Sequence, residues 1–137
     1  MECSIRPATV ADVRATLELW REGDAEPSHT DDEASLTQLI AHDPASLLLA
    51  DYGGRVVGSV IAAWDGWRGS IYRLVVAPDV RRRGLGYRLL TDAEARLREA
   101  GAVRCQAIVV ETDAQAVSFW GASGWERQVE RLRYVKG

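Results

Sequence analysis

The chain has 137 residues, of which 47% are hydrophobic and 27% are charged, and its formal net charge at pH 7 is −3. This composition is typical of a folded globular protein and argues against disorder, and the length fits a single domain over residues 1–137. The slightly negative charge gives no general attraction to nucleic acid or to an anionic membrane. Because neither a signal peptide nor an apolar run of membrane-spanning length is apparent, we expect a cytoplasmic protein.

The cysteine and histidine residues are few and widely separated. Cys3 and Cys105 show no paired spacing, and His29 and His42 have no companion ligands nearby in the sequence. Such spacing indicates neither a disulfide framework nor a thiolate or imidazole metal site. We therefore expect no metal ion in this protein.

The first part of the chain predicts two helices joined by an acidic loop. Thr9 and Asp12 resemble a capping box, and apolar residues at helical spacing follow them, which predicts a helix over residues 9–22. Residues 22–33 contain six acidic side chains and neither Lys nor Arg. They predict a loop that enters a second helix near residues 32–42.

The middle of the chain predicts a β-hairpin. Two apolar, β-branched runs, residues 47–52 and 55–64, are joined by Gly53 and Gly54. Two consecutive glycines supply the positive φ angles that a tight hairpin turn requires. The hairpin is therefore predicted by both its strands and its turn.

The rest of the chain predicts an alternation of strands and helices. The predicted elements are a strand over residues 70–76, a helix over 85–100 that Gly101 ends, a strand over 103–110, a helix over 114–123, and one or two strands within 125–135.

The segment from Arg81 to Gly86 is the most informative part of the chain. Three consecutive arginines open a predicted helix, although each positive charge at a helix N-terminus is unfavourable by about 0.3–1 kcal/mol. Gly84 and Gly86 allow the backbone to approach a ligand closely or to adopt positive φ. An anion removes the penalty, because first-turn N–H groups lack intrahelical acceptors and arginine side chains can enclose phosphate oxygens. The segment therefore predicts a phosphate-binding site.

Two common nucleotide-binding motifs do not fit this segment. Leu89 stands where a dinucleotide fingerprint has its third glycine, and no Gly-Lys-Ser/Thr follows for a Walker loop. The alternative is that residues 81–83 form a solvated basic patch or contact nucleic acid. The spacing of the two glycines favours the phosphate site over that alternative.

The order Arg81-x-x-Gly84-x-Gly86 after a central strand resembles the phosphate signature of the GNAT superfamily, the acyl-CoA-dependent N-acetyltransferases. Three further resembling segments lie in the expected order, and together they span nearly the whole chain: Val56-Val57-Gly58, Leu74-Val75-Val76-Ala77-Pro78 and Ala116-x-x-Phe119-Trp120-x-x-x-Gly124-Trp125. Residues 65–69 are also similar to a bacterial subgroup of largely uncharacterised members.

The resemblance implies an α/β fold with a central mixed, mostly antiparallel sheet flanked by helices. It also implies that two parallel central strands, residues 70–77 and 103–110, splay apart around the thioester of acetyl-CoA, the expected co-substrate. Val75 and Val76 would bond the pantetheine arm through their backbone groups, and the N–H groups of residues 81–86 would hold the pyrophosphate. The full set of implied coenzyme-binding residues is Leu74, Val75, Val76, Arg81, Arg82, Arg83, Gly84, Leu85, Gly86, Tyr87, Asp113, Phe119 and Trp120.

The chain departs from the family at the expected acid. Many members have an Asn at the position of Asp113 and, seven residues later, a Tyr that protonates the departing thiolate, where this chain has Trp120. An indole N–H donates a hydrogen bond but cannot act as that acid. Tyr72, Tyr87 and Tyr134 are the possible substitute acids, and a structural role is the alternative for each. Asp113 is expected to cap the helix beside it. For Phe119 and Trp120, packing of the helix against the sheet is the alternative role.

The chemistry also requires a proton acceptor, because an alkylammonium with a pKa of about 10.4 must be deprotonated before it attacks a thioester. Glu111, at the end of a predicted strand, is the first candidate base, and Asp65, in a predicted turn, is the second. Each is alternatively an exposed carboxylate in a salt bridge. Positioning and main-chain N–H groups at the developing oxyanion can supply much of the rate without a dedicated acid.

We expect the acceptor amine in a cleft formed by the first helix, the acidic loop and the turn of residues 65–69. Trp20, Trp64 and Trp67 would form its apolar wall, and Asp24 would lie beside it. The acidic loop favours a cationic acceptor such as a polyamine, an aminoglycoside, or a lysine or N-terminal amine.

These residues leave two classes of function open. The first is an N-acetyltransferase acting on a small-molecule or protein amine. The second is a non-catalytic acyl-CoA sensor or regulatory module, which Trp120 in the acid position favours. Neither nucleic acid nor membrane is expected as a partner. A homodimer stays open, because the last strands can pair with a second copy or with one another.

Overall fold

A computed structural model describes residues 2–23 and 25–137. They fall into two units, residues up to 107 and residues 108–137. The elements in chain order are β1 Ser4–Pro7, a 3-10 turn Val10–Asp12, α1 Val13–Glu22, α2 Glu33–His42, β2 Leu47–Tyr52, β3 Arg55–Trp64, β4 Gly69–Val76, a 3-10 turn Pro78–Val80, α3 Leu85–Ala100, β5 Cys105–Ala107 and α4 Ala114–Ala122. Every helix in the described part of the chain is too short or too polar to cross a lipid bilayer.

The first unit contains a five-stranded sheet with the order β1-β2-β3-β4-β5. The first three pairings are antiparallel, and β4 pairs with β5 in parallel. The hairpin of β2 and β3 turns at Gly53 and Gly54, which have φ of +59° and +89°. The predicted α/β class, with a mixed and mostly antiparallel sheet, is therefore confirmed.

Helices α3 and α1 pack on opposite faces of this sheet. A Cβ placed on Gly58 would lie 2.8 Å from Leu89 of α3, so β3 approaches α3 closely at this glycine. Neighbouring residues of a strand point to opposite faces. Ser59 accordingly faces α1, where Trp20 donates a hydrogen bond to its hydroxyl.

The apolar side of α3 supplies much of the core. Each fully buried leucine stabilises the fold by about 1.5–3 kcal/mol relative to an exposed one. The buried residues of α3 are Leu85, Leu89, Leu90, Ala93 and Leu97. The glycine-bearing start of α3 is thus attached to a firmly packed helix, which holds the predicted phosphate site in place.

The predicted strand over residues 103–110 is wrong in its length. Only Cys105–Ala107 pair with β4. The prediction relied on apolar residues, but Val103, Ile108 and Val110 are all exposed. Apolar character alone does not make a strand, since a strand also needs a hydrogen-bonded neighbour.

The N-terminal strand and the last predicted strands also differ from expectation. Ser4–Pro7 forms β1, which the sequence did not indicate because the segment is short, polar and contains a proline, all features of edge strands. The alternating residues 125–135 predicted one or two strands, yet no strand is present there among the described residues. Val129, Leu132 and Tyr134 are exposed, so the alternation does not reflect a buried face.

Candidate functional site

The start of α3 presents backbone N–H groups without acceptors. Gly84 precedes the first turn with a left-handed φ of +76°, and no side chain caps the helix. The amide of Arg88 donates to the oxygen of Gly84 at 3.1 Å. The three amides between them, of residues 85–87, have no hydrogen-bond acceptor within the described chain. Such a helix start is suited to binding an anion.

The space in front of Gly84 is open. A Cβ placed on this residue would meet no atom within 4 Å, so packing does not require a glycine here. The backbone conformation does, because L-residues rarely adopt this φ. A ligand can therefore reach the helix start without displacing any protein atom.

The three arginines before the helix do not play the same part. Arg82 and Arg83 are exposed and make no hydrogen bond or salt bridge to a described residue. Arg81 instead donates from Nε to the oxygen of Val76 and from Nη2 to the oxygen of Gly23, both at 3.1 Å. Two guanidinium groups are thus available to an anion, whereas Arg81 ties the end of α1 to the end of β4.

Gly23 is required at this junction. A side chain there would collide with Val75 of β4, because the end of α1 lies directly against the strand. Arg81 fixes the same junction from the loop side. Helix α1, strand β4 and the predicted phosphate-binding segment of residues 81–86 therefore meet at one point.

Strand β4 separates from β5 before it ends. Their parallel pairing stops at Ile71 and Ala107, yet β4 continues to Val76. On its other side, β4 carries a β-bulge, because both Arg73 and Leu74 lie opposite Val60 of β3. Arg73 has a left-handed φ of +52°. The far half of β4 consequently has one side that β5 does not pair.

The register shows which backbone groups lie on that unpaired side. The amide of Ala77 donates to Val57 at 2.8 Å, and Val75 lies opposite Ser59 two residues earlier. Hydrogen-bonded pairs alternate in an antiparallel ladder, so Val75 also directs its backbone groups toward β3. Leu74 and Val76, which flank it, direct theirs away from β3. Of the residues predicted to hold the pantetheine arm, these two have the suitable orientation, and the Val76 oxygen already accepts from Arg81 Nε.

The bulge is surrounded by hydrogen bonds. The Ser59 hydroxyl donates to the oxygen of Arg73 at 2.8 Å and accepts from the Trp20 indole at 2.9 Å. The Arg73 guanidinium donates to both carboxylate oxygens of Asp31 at 2.7 Å and to the backbone oxygen of Glu26 at 2.8 Å. It also lies 5.1 Å from the Trp20 ring. A left-handed non-glycine residue costs roughly 1–2 kcal/mol, and these contacts offset it.

The two predicted bases are already occupied. Asp65 Oδ1 accepts from the amides of Trp67 and Arg68 at 2.7 Å, and these backbone bonds lower the pKa of its carboxyl. It therefore shapes its turn. Within the second unit, Glu111 accepts from Arg127 at 2.8 Å and is largely exposed. The salt-bridge alternative thus describes Glu111 in this structure.

The predicted tryptophan wall does not form. Trp20 is 96% buried beside Ser59 on the α1 face. Trp64 lies on the opposite face of β3, next to the end of α3 at Gly101. Trp67 is 69% exposed, with the Arg68 guanidinium 4.1 Å from its ring. Trp20 packs against the α1 face of β3, whereas Trp64 points to the α3 face, so the sheet separates the two side chains. Asp24, the remaining predicted acceptor residue, lies outside the described residues.

The tyrosines of the first unit occupy different places. Tyr72 is half exposed on β4 next to the bulge, on the α1 face opposite Ile61. Its hydroxyl bonds to no described residue. Tyr87 is exposed in the first turn of α3, one residue after Gly86.

The second unit contains the other predicted residues. Asp113 caps α4 by accepting from the amide of Ala116 at 3.0 Å, as expected. The ring of Trp120 contacts Phe119 and Trp125 edge to face, with centroid distances of 5.9 and 4.8 Å. The aromatic residues therefore form a cluster within this unit.

An uncapped, glycine-led helix that follows a strand split from its parallel neighbour agrees with the resemblance found in the sequence. Residues 13–125 match the Acetyltransferase (GNAT) family. The chain belongs to this family.

Bacterial relatives of the GNAT family agree with this assignment. An acetyltransferase of Yersinia enterocolitica is 32% identical over 124 residues, which cover 90% of this chain and 88% of the relative. An acetyltransferase of Pectobacterium atrosepticum is 33% identical over 109 residues, covering 80% and 77%. The GNAT acetyltransferase class therefore rests on sequence as well as on fold.

Solved GNAT structures share the fold at lower identity. The PaiA N-acetyltransferase of Thermoplasma acidophilum, in complex with coenzyme A, superposes with a TM-score of 0.77 at 18% sequence identity. The match covers 89% of this chain and 88% of PaiA. AAC(6')-Iy, in complex with the bisubstrate analogue CoA-S-monomethyl-acetylneamine, has a TM-score of 0.77 at 16% sequence identity. The match covers 100% of this chain and 99% of AAC(6')-Iy. Both neighbours were solved with a coenzyme A group, which supports binding of this type of ligand within the fold.

Sequence reasoning missed three residues that shape the GNAT site here: Gly23, Ser59 and Arg73. Gly23 had a signal, since a glycine after a predicted helix indicates a helix end. Ser59 and Arg73 had none, because their roles depend on a bulge and on partners distant in the chain.

Proposed function

We propose that this protein transfers an acetyl group from acetyl-CoA to a primary amine. The observation that carries the proposal is the uncapped start of α3, with Gly84 left-handed and the space before it open. The amides of residues 85–87 and the exposed guanidinium groups of Arg82 and Arg83 fit a pyrophosphate. Leu74 and Val76 fit a pantetheine arm that lies along β4 as an added strand.

The reaction forms a C–N bond and breaks a C–S bond, while the amine loses one proton and the sulfur gains one. Acetyl-CoA supplies the activated thioester. Backbone N–H groups on the unpaired side of β4 are suited to stabilise the negative charge that develops on the carbonyl oxygen. The bulge at Arg73 fixes their direction before any ligand binds, which lowers the cost of reorganisation.

A dedicated carboxylate base is not part of this proposal. Asp65 is bonded to two backbone amides, and Glu111 is paired with Arg127. We propose that water carries the proton away from the ammonium group. Tyr72 is the proposed acid for the thiolate, because its hydroxyl is free of described partners and the residue adjoins the bulge.

The family and the loop between α1 and α2 support a proposal for the class of acceptor. Several of the loop carboxylates already have partners: Asp31 binds Arg73, Asp32 caps α2 through the amide of Ser35, and Glu33 binds Arg14. Glu22 and Glu26 are left as the described acidic groups for a cation. We propose a primary amine of modest positive charge, from a small molecule or a peptide, as the acceptor.

The test combines coenzyme binding with turnover. Acetyl-CoA is expected to raise the melting temperature of the protein. A panel of diamines, polyamines, aminoglycosides and lysine peptides is then screened for release of free CoA thiol above the rate of hydrolysis. Turnover with any amine supports the transferase. Coenzyme binding without turnover across the panel favours the acyl-CoA sensor that Trp120 suggests, and absence of coenzyme binding contradicts both.

A further inference from the structure

One residue, Arg73, links the bulge in β4 to the loop between α1 and α2. Arg73 supplies the backbone of the bulge, and its side chain reaches Asp31, 42 residues earlier in the chain. Both side chains of this ion pair are about four-fifths buried. Screening by water is therefore weaker than at the exposed pairs of the surface, so the pair is able to fix the loop to the strand.

The backbone of Arg73 is held as firmly as its side chain. Its carbonyl oxygen accepts from Ser59, whose hydroxyl in turn accepts from Trp20. Both Ser59 and Trp20 are buried, so water does not replace these bonds. A buried chain of bonds of this kind favours a single geometry of the residues it joins.

The two sets of bonds act on one strained residue. Arg73 keeps a left-handed φ that an arginine does not adopt by preference. If the loop released the guanidinium, the Ser59 hydroxyl and the flanking β3–β4 pairs, Ile61 with Tyr72 and Ser59 with Val75, would be left to restrain this conformation. If Ser59 released the carbonyl, the guanidinium would lose its position over Trp20. The loop and the bulge are therefore expected to open together.

We propose that Arg73 is a positioning residue that couples the loop of residues 26–31 to the β4 bulge, so that the direction of the Leu74 and Val76 backbone depends on the loop being closed. The part of this inference that concerns the coenzyme rests on the function proposed above. The mechanical part concerns the protein alone. An acceptor that displaces the loop would then loosen the strand that binds the thioester.

The chain offers a matched pair of substitutions for the test. Asp31→Asn removes the carboxylate that binds Arg73, whereas Glu33→Gln removes a carboxylate that binds Arg14 in an exposed pair. Both changes remove one negative charge from the same stretch of chain. Only the first removes the ion pair between the loop and β4, while the bond from Arg73 to the Glu26 backbone oxygen stays in both variants.

Hydrogen exchange of the protein without coenzyme measures the coupling. Asp31→Asn is expected to speed exchange in residues 70–77 by roughly 5-fold or more, the lower end of typical site-to-site coupling. Glu33→Gln is expected to leave that segment unchanged. In the reverse direction, Ser59→Ala is expected to speed exchange in residues 26–31. Faster exchange confined to the loop in Asp31→Asn overturns the proposal, even if Ser59→Ala proves too unstable to interpret.

A second measurement separates this proposal from the proposed function. Calorimetry is expected to show that Asp31→Asn weakens binding of CoA by roughly 5-fold or more, with Glu33→Gln close to the wild type. If the wild type binds no CoA, the proposed function fails while the exchange result still decides the coupling. If CoA binds all three proteins equally well, the positioning role of Arg73 toward the coenzyme is wrong, whatever the exchange result shows about the loop and the bulge.

Discussion

The start of α3 at Gly84 and the bulge of β4 at Arg73 are 11 residues apart in the chain, and their polar groups differ in how they are bonded. At the helix start, the amides of residues 85–87 have no described acceptor, and the guanidinium groups of Arg82 and Arg83 make no hydrogen bond or salt bridge to a described residue. At the bulge, the carbonyl and the guanidinium of Arg73 are both bonded. One region is left open and the other is closed.

This difference separates binding from positioning. Unbonded groups at the surface cost little while water solvates them, and they become strong donors when an anion arrives. Bonded groups inside the fold hold the left-handed backbone of Arg73 in one geometry. Changes at the helix start should therefore affect mainly the ligand, and changes around the bulge should affect mainly stability and geometry.

The largest expected effect is on coenzyme affinity in Gly84→Val. A side chain at this position projects into the open space that the pyrophosphate is proposed to fill. Affinity for CoA is expected to fall by about 100-fold, or about 2.7 kcal/mol, as measured by calorimetry. If Gly84→Val kept the wild-type affinity for CoA, the proposed position of the pyrophosphate would be wrong.

Gly54→Val is the matched control for that substitution. Gly54 also has a positive φ and also faces open space, in the hairpin between β2 and β3. Both variants should lose roughly 1–2 kcal/mol of stability from backbone strain. Only Gly84→Val should lose the rise in melting temperature that CoA produces, which separates the ligand effect from the strain.

Among changes around the β4 bulge, Ser59→Ala is expected to lower the free energy of unfolding most. The substitution leaves the Trp20 indole N–H and the Arg73 carbonyl without the hydroxyl that joins them. A buried unsatisfied group costs about 1–3 kcal/mol, so we expect the free energy of unfolding to fall by roughly 2–3 kcal/mol in urea denaturation. Ser70→Ala is the control, because the Ser70 hydroxyl makes one 3.3 Å bond to exposed Gln106. An equal loss of unfolding free energy in both variants would show that the buried hydrogen bonds through Ser59 add no more stability than the exposed bond of Ser70.

The sequence predicted the open region better than the closed one, for a physical reason. Arginine and glycine at the start of α3 act through their own backbone and charge, so a short segment is enough to recognise them. Gly101 and Asp113 are similar, since each shapes a helix end locally and each is found in that role. Arg73 acts through Asp31 and Ser59, whose proximity exists only after the sheet and α1 have assembled.

The same argument explains the errors in the fold. The β2–β3 hairpin carries its own turn signal and was predicted with correct bounds. Strand β1 and the length of β5 depend on a neighbouring strand that the local sequence does not reveal. The tryptophan wall failed for a related reason, because the faces of β3 separate residues that looked alike in the sequence. Whether residues 1–137 act as one domain stays a prediction.

The ion pair of Arg6 and Asp12 makes the stability of the fold depend on pH. The guanidinium of Arg6 bonds both carboxylate oxygens of Asp12, and this pairing lowers the pKa of Asp12 from 3.8 to about 2. Because the carboxylate is favoured in the folded state, its stabilising effect is present above about pH 4 and disappears as the pH falls to about 2. The loss is expected to be about 2 kcal/mol.

Urea denaturation across that pH range provides the measurement. Asp12→Asn is expected to be less stable than the wild type near neutral pH and to converge with it toward about pH 2, since the asparagine has no proton to gain. A constant difference between the two proteins at every pH would show that the stability comes from packing or from other hydrogen bonds rather than from the charge of Asp12.

The smallest expected effect on CoA affinity tests whether Arg81 and Arg83 differ in their roles at the proposed phosphate site. Arg81→Ala removes the bonds that join that site to Val76 and Gly23, and we expect CoA affinity to fall by about 5-fold, or about 1 kcal/mol. Arg83→Ala removes an exposed charge, with a loss of CoA affinity of similar or smaller size.

The two losses of affinity should differ in their salt dependence. A direct charge contact is screened as ionic strength rises, so the deficit of Arg83→Ala should shrink in high salt. The deficit of Arg81→Ala should persist, because it comes from a displaced backbone. If both deficits vanish in high salt, Arg81 belongs to the open region and binds the anion directly.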